Sequence, residues 1–90
     1  MILFVGLTPC DEDKTNPVVW GDYTYKNDDI RRFDGIIQEV CQSRSVGHVS
    51  VFDAMAGRIK ELFPDGLHPN NEGHERMAGL IKPELDKLLV

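Results

Sequence analysis

Ile2-Leu3-Phe4-Val5-Gly6-Leu7, closed by Thr8-Pro9, is a continuous apolar run with no polar alternation. A strand apolar on both faces is what a parallel sheet covered by helices requires, so the run predicts a buried strand of an α/β domain. Further along, Gly47 breaks the chain ahead of His48-Val49-Ser50-Val51-Phe52, whose β-branched and aromatic residues predict a second strand. Between the two, Ile30, Phe33, Ile36, Ile37, Val40 and Cys41 recur with a 3.6-residue period behind the capping candidates Asn27, Asp28 and Asp29. That spacing predicts an amphipathic helix ending near Ser43. Strand, helix, strand is the crossover unit of a parallel sheet.

Outward from this unit, Cys10 to Asn27 is polar and rich in breakers, and predicts a loop longer than most connections. Asp53 is placed to cap a short helix from Ala54 to about Phe63, with Met55, Ile59 and Leu62 facing inward. Asn71 is a plausible cap for a last helix with Met77, Leu80, Ile81, Leu85, Leu88 and Leu89 on its apolar face. Pro83 falls inside that pattern and predicts a kink or restart around Lys82. Two strands are too few for a self-sufficient parallel sheet, because most of the hydrogen-bonding edge stays unpaired. Residues 1–90 therefore read as a single partial domain, either the C-terminal part of a doubly wound fold or a unit that completes its sheet with another chain.

Composition narrows the partners. Ninety residues with ordinary apolar content make one small soluble domain or a piece of one. The net charge of -5 and the scattered Lys and Arg residues offer no basic stripe for a polyphosphate backbone, which excludes nucleic acid as an expected partner. Cys10 and Cys41 lack the density of a disulfide framework and the spacing of a zinc site, so both read as reduced structural thiols. Met1 to Val5 has no basic flank and is too short for a signal core or a membrane span, giving a cytoplasmic expectation.

The chemistry is concentrated in Asp65-Gly66-Leu67-His68-Pro69-Asn70. A carboxylate and an imidazole three residues apart, in a segment whose Gly and Pro forbid regular structure, have the arrangement of a general base and its orienter. Turn chemistry alone would also account for Asp-Gly and His-Pro-Asn in a loop. His74, early in the last helix, would need a third partner besides His68 to hold a metal, and His48 at the start of a strand reads as structural. Asp53 sits at the carboxyl end of a predicted strand, where ligand sites of open α/β sheets gather, but reads better as a cap. Trp20, Tyr23 and Tyr25 fall in the long loop on the same edge and either line a substrate pocket or cover the core.

The block from Asp65 to Asn70, with Glu72-Gly73-His74 and the helix containing Met77-Ala78 behind it, resembles the last conserved block of the SGNH hydrolases, also called GDSL esterases and lipases. The strand ending Gly6-Leu7-Thr8-Pro9, the long loop, the amphipathic helix and the strand ending Phe52-Asp53 are similar to the end of that family's flavodoxin-like, three-layer α/β/α fold. The resemblance covers nearly the whole chain but about the second half of the family's domain. It implies a carboxylic ester hydrolase without metal or organic cofactor, in which His68 is the general base and Asp65 orients it. The family's Ser nucleophile and oxyanion-hole Gly and Asn belong to earlier blocks with no counterpart here. Gly21-Asp22-Tyr23 has Tyr in the nucleophile's place, and Ser43, Ser45 and Ser50 lack the strand-to-helix exposure a nucleophile needs. From a different class comes the alternative of a non-catalytic, truncated hydrolase domain that self-associates or pairs with a partner through its open sheet edge.

Overall fold

A computed structural model describes residues 2–89. It is a mixed helix and strand structure with two parallel strands, β1 (Leu3–Val5) and β2 (Gly47–Val49), paired Leu3 to Gly47, Phe4 to His48 and Val5 to Val49. Both strands are shorter than the apolar runs suggest. Beyond β1 the Gly6 N–H still donates to the Val49 carbonyl at 2.8 Å, but the Leu7 N–H turns to the Asp34 carboxylate at 3.0 Å, and the ladder ends. Val51 and Phe52, expected in the second strand, leave it, and Phe52 opens a helix.

The long loop holds a four-residue helix, α1 (Glu12–Thr15), capped by Asp11, whose carboxylate accepts from the Asp13 N–H at 3.2 Å. The amphipathic helix is α2 (Asn27–Ser43). Asn27 is its first residue and not its cap, because its side chain is occupied in bonding both the N–H and the C=O of Cys10 at 2.8 and 2.9 Å. The expected single helix from Ala54 to Phe63 is two short ones, α3 (Phe52–Ala56) and α4 (Ile59–Leu62), separated at Gly57. Asp53 lies in the first turn of α3 and does not cap it; its carboxylate pairs with Arg31 of α2 at 3.0 Å. The last helix, α5 (Asn71–Leu88), is capped by Asn70, one residue earlier than expected, and continues through Pro83.

The pleat sends alternate strand residues to opposite faces. Leu3, Val5 and Val49 join Val51, Met55, Leu62 and the fully buried Phe63, with Met77, Leu80 and Ile81 of α5 closing this core. Phe4 and His48 point the other way, toward α2, where their rings stack 6.2 Å apart and His48 Nε2 lies 3.7 Å from Asp34. Helices therefore lie on both faces of the sheet. The α2 face is covered less completely: Phe33, Ile36 and Val40, which share the helical period, are more than half exposed, as Ile2 is, and Phe4 is 41% exposed. Cys10 and Cys41 are both buried free thiols. Among the described residues no helix is long and apolar enough to cross a membrane.

Candidate active site

The segment after α4 is held by backbone bonds at both ends before any side chain is considered. The Gly66 N–H closes a turn on the Phe63 carbonyl at 2.9 Å, and the Gly66 carbonyl accepts from the Asp11 N–H at 2.8 Å. Lys14 Nζ reaches the Pro64 carbonyl at 2.7 Å, and Lys60 pairs with Asp11 and Asp13, at 2.7 Å to the latter, so α1 is tied to both the loop and α4. At the far end Asn70 works three ways: its N–H donates to the Leu62 carbonyl, its Nδ2 to the Glu61 carbonyl, and its Oδ1 accepts from the Gly73 N–H, at 2.8 to 2.9 Å. Gly73 is needed there, since a Cβ would come within 2.8 Å of Pro69.

Within this frame Asp65 folds back on its own segment. Its Oδ1 accepts the N–H groups of Leu67 and His68 at 2.8 and 2.7 Å, and its Oδ2 lies 2.6 Å from His68 Nδ1. The spacing of three residues is what makes this possible, because one carboxylate can then bond the backbone and the ring of the same histidine. The His68 backbone N–H, its ring and the Leu67 N–H, in that order of importance, hold the Asp65 carboxyl well below the ordinary 3.8, at about 2. An ionised carboxylate against Nδ1 requires the proton on Nδ1, so in the neutral ring Nε2 carries the lone pair. Among the described residues nothing hydrogen-bonds Nε2, and the His68 side chain is 70% exposed. The geometry is that of an oriented base whose proton-accepting nitrogen is open.

A lowered folded-state pKa adds stability that is complete above the unfolded value of 3.8 and disappears as the pH falls through about 2. Asp65 is nearly half exposed, so screening by water limits this contribution to roughly 1 kcal/mol.

A cavity of about 430 Å³ borders the same segment at Leu67, the residue before His68, with neither Asp65 nor His68 in its wall. Leu7, Ile30, Phe33 and Tyr25 make it largely apolar, and Thr8 and Lys26 add polar groups. Of the three loop aromatics, Tyr25 is brought to this cavity. Trp20 and Tyr23 are not; both are more than half exposed and pack on each other, with ring centroids 6.3 Å apart. Leu7, Thr8, Ile30 and Phe33 carry no motif that would mark them in the sequence, whereas Leu67 lies inside one.

Among the described residues no serine hydroxyl is hydrogen-bonded to the His68 ring. Ser43 and Ser45 precede β2, at the opposite end of the strands from Leu7 and Leu67, and the Ser43 hydroxyl donates to the Val40 carbonyl at 2.9 Å. Tyr23, in the nucleophile's place of the Gly21-Asp22-Tyr23 run, lies outside the cavity wall. His74 is exposed on α5, and among the described residues no group of three or more His, Cys, Asp or Glu side chains is placed to hold a metal. The His48 side chain is buried, and among the described residues neither ring nitrogen has a hydrogen-bond partner. The assembled residues are thus Asp65, His68 and a neighbouring apolar cavity that includes Tyr25. Comparison with protein-family models, with curated proteins and with solved structures returns no match.

Proposed function

We propose that Asp65 and His68 are the orienter and general base of an ester hydrolase of the SGNH (GDSL) type, and that this chain forms the C-terminal part of its flavodoxin-like α/β/α domain. The single observation that carries the reading is the 2.6 Å Asp65 to His68 Nδ1 bond with Nε2 left open. In the reaction, a serine hydroxyl gives its proton to His68 Nε2 as its oxygen attacks the ester carbonyl. The imidazolium, stabilised by Asp65, returns that proton to the departing alcohol. Water then repeats the cycle on the acyl-enzyme, releasing the acid. No metal or organic cofactor takes part. The apolar cavity beside Leu67 suits the acyl portion, with Tyr25 in its wall, and Trp20 and Tyr23 form an exposed pair outside it.

The nucleophile and oxyanion donors come from polypeptide other than these residues. Loss of a triad member costs about 10⁴ or more in rate, and missing oxyanion donors add ~10² to 10³. The 90-residue chain alone is therefore expected to show no turnover of a short-chain nitrophenyl ester and no labelling by an organophosphonate serine probe. Stoichiometric labelling, with turnover abolished by His68→Ala, would contradict the placement of the nucleophile elsewhere.

A second reading is favoured by one further observation, the half-uncovered Phe4 on a strand whose outer edge pairs with no strand among the described residues. On that reading the chain is a non-catalytic module that associates through its sheet edge.

A further inference from the structure

Resting on the edge-pairing reading, we propose that the outer edge of β1 and the exposed stripe of α2 form a two-fold interface with a second copy of this chain. The hydrogen-bonding polarity of β1 comes first. Gly6 donates toward β2, so by alternation Phe4 also turns its backbone groups to β2, while Leu3 and Val5 turn theirs to the open edge. Antiparallel pairing about a two-fold axis at Phe4 sets Leu3 opposite Val5 of the second copy as a hydrogen-bonded pair. It also sets Phe4 against Phe4, in the closer, non-hydrogen-bonded position where side chains touch.

The stripe on α2 obeys the same symmetry. Asp29, Phe33, Ile36, Val40 and Arg44 follow one another at intervals of three or four, on one side of the helix. Asp29 borders the cavity beside Phe33 at one end, and Arg44 borders an apolar groove of about 360 Å³ with Ile2, Phe4, Ile36 and Val40 at the other. An axis between Ile36 and Ile37 places Phe33 against Val40 and Asp29 against Arg44 of the second copy, twice over. Phe4 lies in the groove with Ile36 and Ile37, so the axis that centres the helix also centres the strand. Antiparallel helices oppose their dipoles favourably, and acidic Asp29 meets basic Arg44. Asp29 already shares a surface pair with Arg32 at 3.2 Å, which leaves its second oxygen for this contact.

Area agrees with charge. Ile2, Phe4, Phe33, Ile36 and Val40 leave on the order of 500 Å² of apolar surface uncovered, as large as a monomer's largest patch and most of the ~800 Å² per partner in a stable interface. The isologous contact is closed, so it ends at two chains.

Sedimentation velocity at micromolar concentration tests this, with circular dichroism to confirm that each variant folds. The expected result is a dimer, made monomeric by Ile36→Lys, an exposed helix position that leaves the core untouched. Arg44→Glu, which faces Asp29 with a like charge, is expected to weaken the dimer about tenfold, and the charge-swapped pair Asp29→Lys with Arg44→Glu to restore it. A wild-type monomer would overturn the dimer and leave the edge-pairing reading to a different polypeptide. A dimer indifferent to Ile36→Lys and to Arg44→Glu would overturn the two-fold arrangement alone. Growth beyond two chains would overturn its closure.

Discussion

Alanine at Gly66 is expected to destabilise the chain by roughly 2 to 4 kcal/mol, and so to lower its melting temperature by ~10 °C or more. Two independent costs coincide at this position. The backbone lies at φ of 91°, in the region L side chains avoid. A Cβ there would also approach Lys14 Cβ to 2.7 Å and Thr15 Cγ2 to 3.1 Å. Neither neighbour can move cheaply, because Thr15 is fully buried and its hydroxyl bonds the Asp11 and Tyr25 carbonyls at 3.2 and 2.9 Å. The loop would have to lift off α1, losing the Asp11 to Gly66 bond that anchors the Asp65 and His68 segment. Gly79 provides the comparison. It lies inside α5 with nothing within 4 Å of its would-be Cβ, so alanine there is expected to stabilise by ~0.5 to 1 kcal/mol. Thermal melts followed by circular dichroism distinguish the two, and equal effects at both positions would contradict the close approach at Gly66.

Phe63→Ala is expected to cost about 3 to 5 kcal/mol, a large part of the ~5 to 13 kcal/mol such a chain can have in total. Phe63 is fully buried, in one cluster with Val49, Val51, Met55 and Leu62. It stands at the end of α4, where its N–H donates to the Ile59 carbonyl at 3.0 Å and its carbonyl accepts the Gly66 N–H at 2.9 Å. The side chain thus fixes, from inside the core, the point from which Asp65 and His68 emerge. Urea denaturation measures the loss as a lower midpoint with little change in slope. A cost under ~1 kcal/mol would mean that the ring is not packed as described.

Local sequence spacing revealed what depends on local geometry. Asp65 and His68 are three apart, and that alone lets one carboxylate bond a backbone N–H and a ring nitrogen of the same residue, so this pair was legible. The parallel pairing was legible from the strand-helix-strand order, with an apolar run without alternation ahead of the helix and a β-branched, aromatic segment behind it. Strand ends were not, because they depend on distant partners: Asp34, 27 residues away, takes the Leu7 N–H and ends β1. The same limit applies to the support of the site. Lys14 to Pro64 and Lys60 to Asp11 span 50 and 49 residues, and nothing local announces either. Periodicity identified Phe33, Ile36 and Val40 as sharing a side of α2, but it reports which residues share a face and not what covers that face. Asp53 reads as a cap by residue type, yet α3 begins one residue earlier and the carboxylate is engaged by Arg31.

One ring and one carboxyl decide whether His68 is an oriented base, and nuclear magnetic resonance of the histidine nitrogens and aspartate carboxyl carbons measures both in the same sample. The neutral His68 ring is predicted to carry its proton on Nδ1, bonded to Asp65, with Nε2 free to accept a second one. On acidification the Asp65 carboxyl is predicted to titrate near 2, not at the ordinary 3.8, and stability to fall across the same interval. A neutral His68 ring with its proton on Nε2 and none on Nδ1, together with Asp65 titrating like a free carboxyl, would contradict this arrangement.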